Sequence, residues 1–158
     1  MRHLGTAALA LLLAAACSSS RPATFAVDFA SVDPTYYCPG GASNAAYDLH
    51  ATIKVHNGTN KAVTVDGATA QLTVASVKGS WLEKVGDRYD AQGVKVTPVS
   101  VPAGGASSLT LSIPSACTSG KYGTGTSSSA QYSVTMRLST SAGDFAITAA
   151  NQHEIVAD

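Results

Sequence analysis

Asp48 and His50 stand two positions apart, a spacing that places both side chains on one face of a strand. A carboxylate and an imidazole so placed could hold a metal ion with a third group from a neighbouring strand. His56 continues the same face, but six strand positions from His50 correspond to roughly 20 Å, which one ion cannot bridge. His153 stands by itself near the carboxyl end and His3 near the amino end. Glu83, Asp87 and Asp90 could offer oxygen ligands to calcium, yet their spacing fits no EF-hand loop, and Lys84 and Arg88 among them favour local ion pairs. Gly-x-Ser-x-Gly, His-Glu-x-x-His, Cys-x-x-Cys and the glycine-rich phosphate loop are missing from the sequence. The chain therefore reads as a non-enzyme with no cofactor and no metal site. A hydrolase or metal carrier, with a site assembled only in the fold, is the alternative.

The three cysteines carry the sharper signal. Ahead of Cys17 lie Met1-Arg2-His3 and an apolar run of Ala and Leu over residues 7–16: a short basic region, a short hydrophobic region and small residues at a cut. Leu13-Ala14-Ala15-Ala16-Cys17 resembles the lipobox of bacterial lipoproteins, in which the cysteine receives the lipid, although here Leu stands four places before it. Ordinary cleavage after Ala16 and a short membrane anchor are the other readings; the run is short for a span, which needs roughly 20 apolar residues. The resemblance implies a signal peptide over residues 1–16, a lipidated Cys17, a polar tether over residues 17–22 and a domain from 23 to 158. The localisation implied is the cell envelope, on the outer or cytoplasmic membrane. With Cys17 acylated, Cys38 and Cys117 remain as a pair, which an oxidising compartment would join. A bridge over so long a loop restricts the unfolded chain by about 4 kcal/mol in the loop-entropy account. Two buried free thiols are the other reading.

Charge excludes some partners. The chain balances 10 basic against 10 acidic residues, only 13% of it is charged, and there is no run of like charge, so nucleic acid is not a partner. Its 158 residues, less the signal, suffice for one domain with a core.

The elements that must position these residues are strands. Apolar residues recur at every second position in Phe25, Val27 and Phe29; in Tyr47, Leu49, Ala51, Ile53 and Val55; and in Leu109, Leu111 and Ile113. Tyr132, Val134, Met136 and Leu138 follow the same period, as do shorter runs at Val63 and Val65, Leu72 and Val74, Val94 and Val96, and Phe145 and Ile147. Asn57-Gly58, Asp66-Gly67, Pro102-Ala103-Gly104-Gly105 and Ser141-Ala142-Gly143 read as turns between them. Residues 78–93 read as a loop in which Trp81 covers an open end of the domain or stacks on a sugar ring. This pattern predicts an all-β, two-sheet antiparallel sandwich of immunoglobulin-like type with seven to eight strands.

The stretch from Ile53 through His56-Asn57-Gly58 to Val63-Thr64-Val65, with Val101-Pro102-Ala103-Gly104-Gly105 opening a later strand, resembles the immunoglobulin-like domains of bacterial envelope lipoproteins. It implies a fold and transfers no active-site residue. Tyr132-Ser133-Val134 similarly resembles the tyrosine corner, with Val in place of Cys. In an immunoglobulin-like Greek key the connection carrying Tyr36-Tyr37-Cys38 and the one from Cys117 through Tyr122 leave at one pole. Their Tyr, Ser, Gly and Thr content is that of binding loops, so Tyr36, Tyr37 and Tyr122 are the candidate contact residues. The functional expectation is a lipid-anchored envelope protein whose domain binds another envelope protein or a glycan. A structural subunit adding exposed strand edges to a neighbour is the competing expectation.

Overall fold

The computed structural model describes residues 24–119 and 128–157; Cys17 and Tyr122 lie outside them. Eleven strands run through the described residues: β1 Phe25–Val32, β2 Thr35–Cys38, β3 Ala45–Asn57, β4 Val63–Lys78, β5 Arg88–Ala91, β6 Lys95–Thr97, β7 Ser100–Val101, β8 Ala106–Cys117, β9 Ser128–Thr140, β10 Gly143–Thr148 and β11 His153–Ala157. They form two sheets, one ordered β1-β3-β8-β6 and one ordered β2-β11-β9-β4-β5, with β10 added to β9 and β7 to β4.

Four long strands make the core. In β3 the even period buries Leu49, Ala51, Ile53 and Val55, and the antiparallel register sets Ile53 opposite Leu109 and Ala51 opposite Leu111 of β8. The second sheet supplies Leu72 and Val74 from β4 and Val134, Met136 and Leu138 from β9. Each such aliphatic side chain contributes about 1.5–3 kcal/mol when fully buried, so alternation on four strands outweighs any local propensity.

The two-sheet, all-β expectation holds, with three corrections. There are eleven strands rather than seven or eight, because short strands share an edge: β10 and β11 occupy successive parts of one side of β9, and β5 and β7 do the same along β4. The pairing of β2 with β11 is parallel, so the sheets are not wholly antiparallel. Asp66-Gly67 is a bulge inside β4, with the register slipping between Val65 and Gly67, so Val63 and Leu72 belong to one strand rather than two. A second bulge, between Val27 and Phe29 of β1, turns Phe29 outward at 41% exposure, under the Lys54 ammonium 5.6 Å from its ring, and buries Ala30 instead.

The Asn57-Gly58 turn is built on the asparagine itself. Fully buried, its Nδ2 donates towards the carbonyls of Lys61, Val101 and Pro102 at 2.8–3.1 Å, while its Oδ1 accepts from the N–H and hydroxyl of Thr59 at 3.0 and 2.7 Å. One side chain thereby ties the ends of β3, β7 and the turn that follows β7 together at one pole. At the opposite pole, Cys38 and Cys117 are joined with their Cα atoms 5.9 Å apart across a sequence separation of 79.

Candidate functional site

At the disulfide pole the chain leaves β4 at Lys78, turns through Gly79 with φ of 70°, and crosses the open end of the sandwich before re-entering as β5. This crossing is folded. Gly86 N–H donates to Val74 and Val74 N–H to Asp87, both at 2.9 Å, while the Asp87 carboxylate accepts from Lys84 N–H at 2.7 Å. Residues 78–93, read as one loop, thus contain a short strand and a pinned turn. Tyr89 of β5 reaches across to the other sheet, its hydroxyl donating to the Pro114 carbonyl at 3.3 Å.

Under this crossing lies a cleft of about 300 Å³ whose lining includes Trp81, Leu82, Glu83, Tyr89, Tyr132 and Cys117. The Trp81 indole N–H is shared between the Tyr132 oxygen at 3.1 Å and Glu83 Oε2 at 3.2 Å, and the Tyr132 hydroxyl donates to the same Glu83 oxygen. Burial, followed by the adjoining Glu83 carboxylate, pushes the Tyr132 phenol well above its ordinary range, so it stays a donor. The indole and the phenol hold one oxygen of Glu83 in place; its second oxygen has no hydrogen bond among the described residues. The opposite wall is held by the disulfide and by two bonds that pin the connection before β3 to the chain after Cys117, Asn44 N–H to the Thr118 hydroxyl at 3.0 Å and Ser119 N–H to Ala42 at 2.9 Å. An aromatic wall, a fixed carboxylate and a rim pinned by the disulfide and backbone bonds can recognise a ligand.

The expected contact tyrosines separate. Tyr36 is half-buried, its ring stacked on Tyr47 with centroids 3.8 Å apart and 6° between planes. Tyr37, 69% exposed, points away from it on the edge strand β2. Tyr132 does not make a tyrosine corner, because its hydroxyl is engaged by Glu83 and Trp81 rather than by nearby backbone. Trp81 packs against the core as the covering reading required, but it also walls the cleft. The calcium candidates diverge: Glu83 faces the cleft, Asp87 caps its own turn, and Asp90 accepts from Gln71 at 2.7 Å. His50 pairs with Asp33 at 3.1 Å, both exposed, rather than with Asp48. Among the described residues no three His, Cys, Asp or Glu side chains converge.

His153 was not legible as a site. It is 1% exposed, its Nδ1–H donates to the Asp33 carbonyl at 2.7 Å, and its Nε2 accepts from the Tyr47 hydroxyl at 2.9 Å. A carbonyl can only accept, which assigns the ring proton to Nδ1. Burial lowers the imidazole pKa against the opposing pull of that carbonyl, and burial pushes the Tyr47 phenol up to about 12. Its partners lie 106 and 120 positions away, so no local pattern marks it.

The β1 edge is capped. In β1, Ala150 N–H donates to the Ala30 carbonyl at 2.8 Å, and the Asn151 side chain both donates to the Val32 carbonyl and accepts from its N–H, at 2.8 and 3.0 Å. A side-chain amide thus occupies the positions an added strand would use.

No family model matches this chain, and no curated protein matches it. Among solved structures it is similar to the ASH/PapD-like domain 7 of human CEP192, at 9% identity over 99% of this chain and 98% of that one, TM-score 0.30. It is also similar to AggA, the major subunit of aggregative adherence fimbriae type I of Escherichia coli, at 10% identity over 85% and 95%, TM-score 0.36. The CooA pilin subunit of enterotoxigenic Escherichia coli is similar at 11% identity over 83% and 99%, TM-score 0.30. Likenesses this distant leave the fold resting on the strand pairing above.

Proposed function

We propose that this protein is a non-catalytic binding module of the cell envelope, tethered to a membrane by lipid on Cys17, and that it engages its partner through the cleft at the disulfide pole. The observation that supports the binding surface is the cleft of about 300 Å³, which Trp81, Tyr89 and Tyr132 line together with a carboxylate held by two donors. That volume sits at the lower end of the roughly 300–1,000 Å³ of ligand pockets, so the occupant is one side chain, one sugar ring or a molecule of that size. A rim held by a disulfide and by backbone bonds loses little entropy on binding. The reading moves the contact surface from Tyr36 and Tyr37 to the Trp81 cleft at the same pole. Strand addition at β1 is disfavoured by the Asn151 cap.

Capture from the native envelope with variants of the anchored protein tests this. Leu82 is 65% exposed at the cleft rim, so Leu82→Asp should leave the melting temperature unchanged and reduce partner recovery several-fold, whereas Tyr37→Ala should leave recovery intact. Recovery lost with Tyr37→Ala and kept with Leu82→Asp would return the contact surface to the tyrosine edge. Fatty-acid labelling that survives Cys17→Ser would remove the lipid tether.

A further inference from the structure

We infer that the occupant of the cleft carries an ammonium group on an apolar stem, either a lysine side chain of a protein partner or a small free amine; the inference rests on the reading of the cleft as a binding site. Three observations lead to it. The first is charge. Glu83 is half-buried and turned into the cleft, its Oε2 is occupied by two neutral donors, and among the described residues no lysine or arginine forms an ion pair with it. Neutral donors orient a carboxylate without cancelling its charge, so among the described lining residues Glu83 is a carboxylate with no cationic side chain beside it, and a cation complements it.

The second is the wall. Trp81, Tyr89 and Tyr132 line the cleft together with the carboxylate, and aromatic side chains both attract a cation and pack against a methylene stem. Leu72, Ile155 and the disulfide sulfur region of Cys117 add apolar surface deeper in. An anion would meet the carboxylate at close range, and a neutral ligand would fill the apolar part while leaving the charge unmatched. The third is rigidity. Tyr132 sits in β9, Trp81 packs against the core and bonds to Tyr132, and the turn that follows Glu83 is pinned to Val74, so the carboxylate does not have to be reoriented when a cation arrives. A lysine side chain fits the volume with its stem along the rings and its ammonium at the free oxygen of Glu83.

Trp81 is the chain's only tryptophan, so its emission reports the cleft directly. The purified protein is titrated with n-pentylammonium, with n-pentanol as the neutral isostere, with pentanoate as the anion, and with N-acetyl-lysine N′-methylamide as the peptide-borne ammonium. The expected result is saturable change with pentylammonium at an affinity about tenfold above pentanol, weakening with added salt, and none with pentanoate. Glu83→Gln keeps an acceptor for Trp81 and Tyr132 but removes the charge. It should bring the amine down to the level of the alcohol and leave alcohol binding as it was. Tighter binding of the lysine amide than of pentylammonium assigns the cation to a protein partner, and the reverse assigns it to a free amine; either supports the ammonium. If pentanol binds the unaltered protein as tightly as pentylammonium, the cleft stands and the ammonium assignment is overturned, whatever Glu83→Gln does to folding. If no probe of any charge moves the emission, the binding-site reading falls first and the inference with it.

Discussion

Trp81, Glu83 and Tyr132 act as a unit, and the physics of each member depends on the others. Tyr132→Phe would leave the indole and the carboxylate without the hydroxyl between them, at a cost of about 1–3 kcal/mol for a partly buried group bonded to a charged partner. Chemical denaturation at neutral pH measures this, and a change under 0.5 kcal/mol would mean that solvent replaces the hydroxyl freely. His153 gives a second prediction. Its imidazole pKa is lowered in the folded state, so the unfolded chain takes up a proton that the folded chain refuses as pH falls below the ordinary imidazole value of about 6.5. Its contribution to stability is therefore full above that pH and declines below it. The denaturation midpoint should drop between pH 7.5 and pH 5, and His153→Gln, which can still donate to Asp33 and accept from Tyr47, should flatten the drop. At this scale the sequence showed Trp81 as a covering residue and Cys38 and Cys117 as a candidate pair. It did not show the hydroxyl and carboxylate around Trp81 or the buried histidine, because Tyr132 is 51 positions from Trp81 and Tyr47 is 106 from His153.

Elements were legible wherever one face is buried, since a period of two survives in Leu49 to Val55 or Leu109 to Ile113 whatever the partner strand. They were not legible at the bulges. Whether Asp66-Gly67 turns the chain or only kinks it is decided by β9, which continues to pair on both sides of it. Two glycines separate these cases experimentally. Gly67 has open space where a Cβ would go and no positive φ, so Gly67→Ala should be neutral or stabilising by up to about 1 kcal/mol. Gly143 closes the β9–β10 hairpin with φ of 120°, so Gly143→Ala should cost about 1–3 kcal/mol. Equal effects in thermal denaturation would contradict the bulge. The β1 edge makes a related prediction: Asn151→Ala uncovers the Val32 N–H and carbonyl, lowering stability by about 1–3 kcal/mol and introducing concentration-dependent association visible by sedimentation.

For the whole molecule, the two poles are closed by different chemistry, Asn57 at one and a disulfide at the other, and the Trp81 cleft lies at the second. Removing the bridge through Cys38→Ala and Cys117→Ala should lower stability by about 4 kcal/mol in the loop-entropy account and loosen the cleft wall. The most direct test of the central claim, that the disulfide pole is the functional surface, is site-specific photo-crosslinking in the native envelope. Leu82 at the cleft rim and Val99, which pairs with Val65 at the far end of β4, are similarly exposed at 65% and 60%. A photoreactive residue at position 82 should give a discrete adduct that is absent from position 99. Adducts from position 99 alone, or equally from both, would contradict the account.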